Sequence, residues 1–86
     1  MNVTARMDLL DQIGRALQDK YTFQDLDGYF GAMNIQIPEG NFGSKRVFSK
    51  QALKSVSDDI LLKIARELNL NTHFSHGQLD GSINAI

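Results

Sequence analysis

Eighty-six residues with a formal net charge of −1 make one domain, since domains run from about 50 to 250 residues, and exclude a wholesale polycation built for nucleic acid. Apolar residues at 42 % and charged residues at 22 % exclude a disordered or fibrous chain. The absence of cysteine excludes disulfides, zinc ribbons and thiol nucleophiles, fits a reducing cytosol, and so sets a cytoplasmic expectation.

Thr4 is placed to cap a first helix running to about Lys20. Leu9, Leu10, Ile13, Ala16, Leu17 and Tyr21 recur at three-to-four-residue spacing and form its apolar stripe. Gly14 interrupts it at a cost of about 1 kcal/mol relative to alanine. Thr22 opens a second helix, with Asp25 three residues on in a near-match to a capping box. Its apolar set is Phe23, Leu26, Tyr29, Phe30 and Met33, and Asp25 and Asp27 suit the positive end of the helix dipole. Gly28 and Gly31 lie on roughly one face, which suits close approach by another helix or a bound group.

The helical pattern breaks at Asn34. Ile35-Gln36-Ile37 alternates like a short extended piece, and Pro38 to Gly43 reads as a loop. Ser44 or Ser49 caps a third helix ending near Ser55, with Val47, Phe48, Ala52, Leu53 and Val56 facing inward. Ser57 caps a fourth, with Asp58 and Asp59 in its first turn and Leu61, Ile64, Ala65 and Leu68 as its stripe; it stops near Asn69. Beyond Asn71 no period survives, so residues 72–86 read as a flexible tail or linker after a helical domain at 1–71. The expected fold is all-α, a compact bundle of about four short helices. Its core comprises Leu10, Ile13, Leu17, Leu26, Phe30, Val47, Phe48, Leu53, Leu61, Ile64 and Leu68. No apolar run approaches the roughly 18–20 residues that span a bilayer, so no membrane partner is expected. Met1 to Arg6 also lacks the pattern of a signal peptide.

The charge is unevenly spread. Residues 1–43 hold three basic and six acidic side chains, residues 44–56 four basic and none acidic, and residues 57–86 two basic and four acidic. Arg46, Lys50 and Lys54 stand at i, i+4 and i+8, and so share one helix face beside Lys45. That face is either a solvated stripe, a docking surface for an acidic protein, or, with the N-terminus capped by Ser44, a phosphate or nucleic-acid contact. Phe42 among glycines is either an anchor packed under its loop or an exposed contact residue.

Tyr21-Thr22-Phe23-Gln24-Asp25-Leu26 entering a helix, the Asn-Phe-Gly-Ser-Lys-Arg turn at 41–46, and Ile60-Leu61-Leu62-Lys63-Ile64-Ala65-Arg66-Glu67-Leu68 carry a family likeness. In this order they resemble a small helical domain found ahead of effector domains, such as TIR domains, in bacterial anti-phage defence proteins. The likeness covers about residues 7–71, and its motifs are common ones. It implies a recognition or assembly role beside a separate effector. No TIR catalytic glutamate or nucleotide pocket is carried over, and the tail at 72–86 would be the start of a linker.

Other chemistry is thinly supported. His73 and His76 are spaced for a metal on a helix, but zinc sites take three or four ligands. Ser75, His76 and Asp80 are triad residue types without a nucleophile elbow. The carboxylate pairs Asp25/Asp27 and Asp58/Asp59 are accounted for as first-turn charges. The expectation is therefore a non-enzymatic interaction module without metal or cofactor, binding a protein partner or its own copies through Lys45, Arg46, Lys50, Lys54 and Phe42. A nucleic-acid or nucleotide-phosphate binder using the same helix is the alternative.

Overall fold

A computed structural model describes residues 1–40 and 42–70; the expected tail at 72–86, with its histidines, lies outside the described residues. Four helices follow in order: α1 (Val3–Lys20), α2 (Phe23–Ala32), α3 (Lys45–Ala52) and α4 (Asp58–Glu67), with no strand among the described residues. The all-α reading holds.

Each helix opens on a polar residue with extended backbone whose side chain accepts an otherwise orphaned N–H. For α1 this is Asn2, which accepts from the Ala5 N–H at 2.7 Å, so the expected cap at Thr4 is corrected by two residues. Thr22 and Asp25 form the full reciprocal box, at 3.1 and 3.2 Å. Ser44 caps α3 and Ser57 caps α4. Ser49, the other expected cap for α3, is a buried mid-helix residue, and α3 ends at Ala52 rather than near Ser55.

Helices α2 and α4 stop by the same device. Asn34 and Asn69 adopt left-handed φ values of 58° and 60°. The following N–H groups, of Ile35 and Leu70, reach back to the carbonyls of Phe30 and Ala65, both at 2.9 Å. These are Schellman closures, and asparagine is the residue after glycine that best tolerates their left-handed position.

The core gathers Ala5, Leu9, Ile13 and Leu17 from α1, Leu26 and Phe30 from α2, and Ile35 from the connection. Phe48 and Ala52 from α3, its cap residue Leu53, and Leu61, Ile64 and Ala65 from α4 complete it. Three expected core residues differ. Leu10 and Leu68 are only partly buried, and Val47 is 41 % exposed. Successive helical residues are rotated by about 100°, and α3 buries Phe48, Ser49, Ala52 and Leu53, which leaves Val47 on the opposite side. Phe23, placed in the apolar set of α2, is also largely exposed, although its ring meets Phe48 edge-on at 5.5 Å.

α1 packs chiefly against α3 and then α4, and α2 touches α3. The close helix approach occurs at Gly14: a Cβ there would lie 3.0 Å from the Arg46 Cγ and 3.2 Å from both the Arg46 carbonyl oxygen and the Lys50 Cγ. Gly28 and Gly31, expected to receive a neighbour, have nothing within 4 Å of the same position. At the other end of the bundle Arg6 ties α1 to the α3–α4 turn. Its guanidinium donates to the Lys54 carbonyl at 3.0 Å, the Val56 carbonyl at 2.7 Å and the Asp58 carboxylate at 2.6 Å.

Candidate functional site

The α1–α3 crossing explains where the basic face of α3 goes. Because Gly14 has no side chain, the aliphatic stems of Arg46 and Lys50 lie against α1 and carry their charged ends toward Asp11. The Asp11 carboxylate is 3.0 Å from the Arg15 guanidinium, 3.5 Å from Lys50 Nζ and 4.0 Å from the Arg46 guanidinium. Three cations therefore meet one anion, and the cluster retains two positive charges. Arg15 is 65 % exposed, Arg46 42 % and Lys50 41 %, so water screens each pair and each contributes about 0–1 kcal/mol to stability. The excess charge faces outward.

The expected binding residues separate into groups. Arg46 and Lys50 sit in this cluster. Lys45, the first residue of α3, and Lys54, just past its end, have no ion pair among the described residues. Lys54 is exposed, and only its backbone carbonyl is engaged, by Arg6. Of the four cations, Arg46 and Lys50 therefore take part in the Asp11 cluster. Phe42 is partly buried with its ring edge-on to Phe48 at 5.6 Å, which makes it an anchor under the loop. Arg15 also belongs to the cluster, beyond the residues expected from the sequence. Its i,i+4 spacing from Asp11 was visible, but which face of α1 meets α3 was not.

The N-terminus of α3 has little left to offer a phosphate. The Arg46 N–H donates to the Gln18 side-chain oxygen at 3.1 Å, and the Val47 N–H to the Ser44 hydroxyl at 3.2 Å. Two of the first three backbone donors are satisfied within the chain.

Asp25, Asp58 and Tyr29 are tied into the fold. Asp25 closes the α2 cap. Asp58 is slightly desolvated, which disfavours its charged form, but hydrogen bonds from the terminal amine and Arg6 outweigh this and hold its carboxyl below the usual range. Tyr29 stacks on Tyr21 at 5.3 Å. Burial first, then the nearby Glu67 carboxylate and Tyr21, push its phenol up to about 12. Glu67 lies close by, yet the buried hydroxyl is not in hydrogen-bonding geometry with any partner among the described residues. Asp27 and Asp59 are exposed and without ion pairs among the described residues. No described helix is long and apolar enough to cross a membrane, and no three metal-ligating side chains gather among the described residues. No protein-family model, curated protein or solved structure matches this chain.

Proposed function

We propose that this chain is a non-catalytic interaction and assembly module, coupled to an effector as in the defence-protein domains it resembles. It self-associates head to tail through the cation cluster at the α1–α3 crossing. The supporting observation is the convergence of Arg15, Arg46 and Lys50 on the single carboxylate of Asp11, which leaves an exposed positive surplus assembled from two helices. Asp25 and Asp27 on α2 are exposed and have no cation partner among the described residues. A contact of the cluster with either carboxylate, which two residues apart stand on different sides of α2, is heterologous and builds chains or rings on successive copies. Charge of this kind sets orientation and encounter rate more than affinity.

The test is sedimentation over a concentration series at low and high salt, for the native chain and for the Arg46→Gln/Lys50→Gln pair. Glutamine keeps the Cγ atoms that lie against Gly14 and removes both charges. A salt-sensitive rise in mass, lost in the variant while its circular dichroism is unchanged, is the expected result. The alternative reading, phosphate or nucleic-acid binding at α3, is less favoured, because Gln18 and Ser44 occupy two of the first three main-chain donors and the reading would rest mainly on side-chain charge. It would show instead as steeply salt-dependent binding of a labelled DNA duplex.

A further inference from the structure

A groove of about 430 Å³ opens where residues 33–39 pass the end of α3 and the start of α4. Ile37, Val56 and Ile60 contribute to its apolar lining, Gln36, Gln51 and Ser55 to a polar lining of similar extent, and Glu39 is the single ionisable residue that borders it among the described residues. The volume lies within the range of about 300–1,000 Å³ usual for binding clefts. None of its residues belongs to the cation cluster.

The wall formed by residues 35–39 has a second property. Ile35 is buried, Gln36 exposed and Ile37 partly buried, the in–out alternation of an extended chain. After the Ile35 N–H, which closes α2, the N–H groups of Gln36, Ile37 and Glu39 have no backbone partner among the described residues. In an extended chain Ile37 and Glu39 present their main-chain groups on one edge, while Pro38, which has no N–H, falls on the other. The 37/39 edge beside this mixed trough is a short template for strand addition. Main-chain bonds then supply affinity, and alternate side chains entering the trough supply selectivity.

We infer that this groove takes an extended peptide of a partner protein, laid alongside Gln36–Glu39. Its alternate apolar side chains enter the trough and a lysine or arginine meets Glu39. Charge argues against the chain's own residues 71–86, which contain Asp80 and no lysine or arginine. A second copy fits poorly as well, because among the described residues no extended segment carries a lysine or arginine: Lys54 lies in the turn after α3 and the others lie on helices. The inference rests on the reading of the chain as an interaction module, and it does not depend on the cation cluster.

The experiment uses the full chain, isotopically labelled, and two synthetic octapeptides that alternate valine with serine, one ending in lysine and the other in glutamate. The lysine peptide is expected to shift the amide signals of residues 35–39, Val56 and Ile60 saturably, and to bind about threefold to fivefold more tightly than the glutamate peptide. Glu39→Lys, a change at an exposed position, should invert that preference. Shifts absent from the groove with both peptides would overturn the inference, as would a preference that Glu39→Lys leaves unchanged. Nuclear Overhauser contacts from residues 72–86 to Val56 or Ile60 in the free chain would assign the groove to the chain itself, and would equally overturn it. These titrations are unaffected by whether the chain self-associates through Arg46 and Lys50, so the two readings fail separately.

Discussion

Gly14 and Arg46 sit so close that a Cβ on the glycine would lie 3.0 Å from the arginine Cγ and 3.2 Å from its carbonyl oxygen. The missing side chain sets the α1–α3 spacing, and through it brings two cations of α3 to Asp11. A bulky residue must push the helices apart or displace both stems. Gly14→Leu is expected to destabilise the fold by about 1–3 kcal/mol, the usual cost of overpacking. Gly28→Ala meets open space and should gain up to about 1 kcal/mol from helix propensity. Urea unfolding of the two variants checks both signs.

Ser49 faces the interior with its hydroxyl buried and without a partner among the described residues. A small residue is needed where α3 packs inward, but the oxygen is not. Ser49→Ala should therefore raise stability by about 1 kcal/mol, the typical cost of leaving a buried polar group unsatisfied. A loss of stability in thermal or urea unfolding would mean that the hydroxyl has a partner.

The bonds that the terminal amine and Arg6 make to Asp58 predict an acid limb to the stability curve. The Asp58 carboxyl is held below its ordinary range, so its contribution is present above the unfolded value of about 3.9 and is lost as pH falls through the lower folded value. Unfolding midpoints measured from about pH 5 downward should fall more steeply for the native chain than for Asp58→Asn, converging at the acid end. Parallel curves would show that these bonds are not coupled to folding.

Asn69 ends α4 in the left-handed region, where a β-carbon crowds the following carbonyl. Asn69→Ala should cost about 1 kcal/mol, and Asn69→Gly should cost little or stabilise. Comparison of the two by urea unfolding isolates the backbone term, because the residue is exposed.

Features set by a few neighbouring residues could be read from the chain directly. The Thr22–Asp25 box, the Ser57 cap and the breaks at Asn34 and Asn69 all depend on chemistry within five residues. What could not be read depends on how one helix lies across another. In the eight-residue α3 and its cap residue Leu53 the apolar side chains Val47, Phe48, Ala52 and Leu53 do not define a single face, so only the packing of α1 shows that Ser49 points in and Val47 out. The same is true of the glycines. The pair at 28 and 31 had the spacing of a contact surface, whereas the contact is made at Gly14, which in the sequence was only a weakness in a helix. Arg15 shows the limit for the site: its pairing with Asp11 is local, but its place beside Arg46 and Lys50 is created by the crossing.

The most direct test of the central claim is the mass of the native chain by sedimentation, at low and at high salt, beside the Arg46→Gln/Lys50→Gln variant. Charge-guided assembly predicts a mass that rises with concentration at low salt, falls toward the monomer at high salt, and stays monomeric in the variant. A native chain that remains monomeric across the low-salt series, or a variant that assembles as the native chain does, would contradict it.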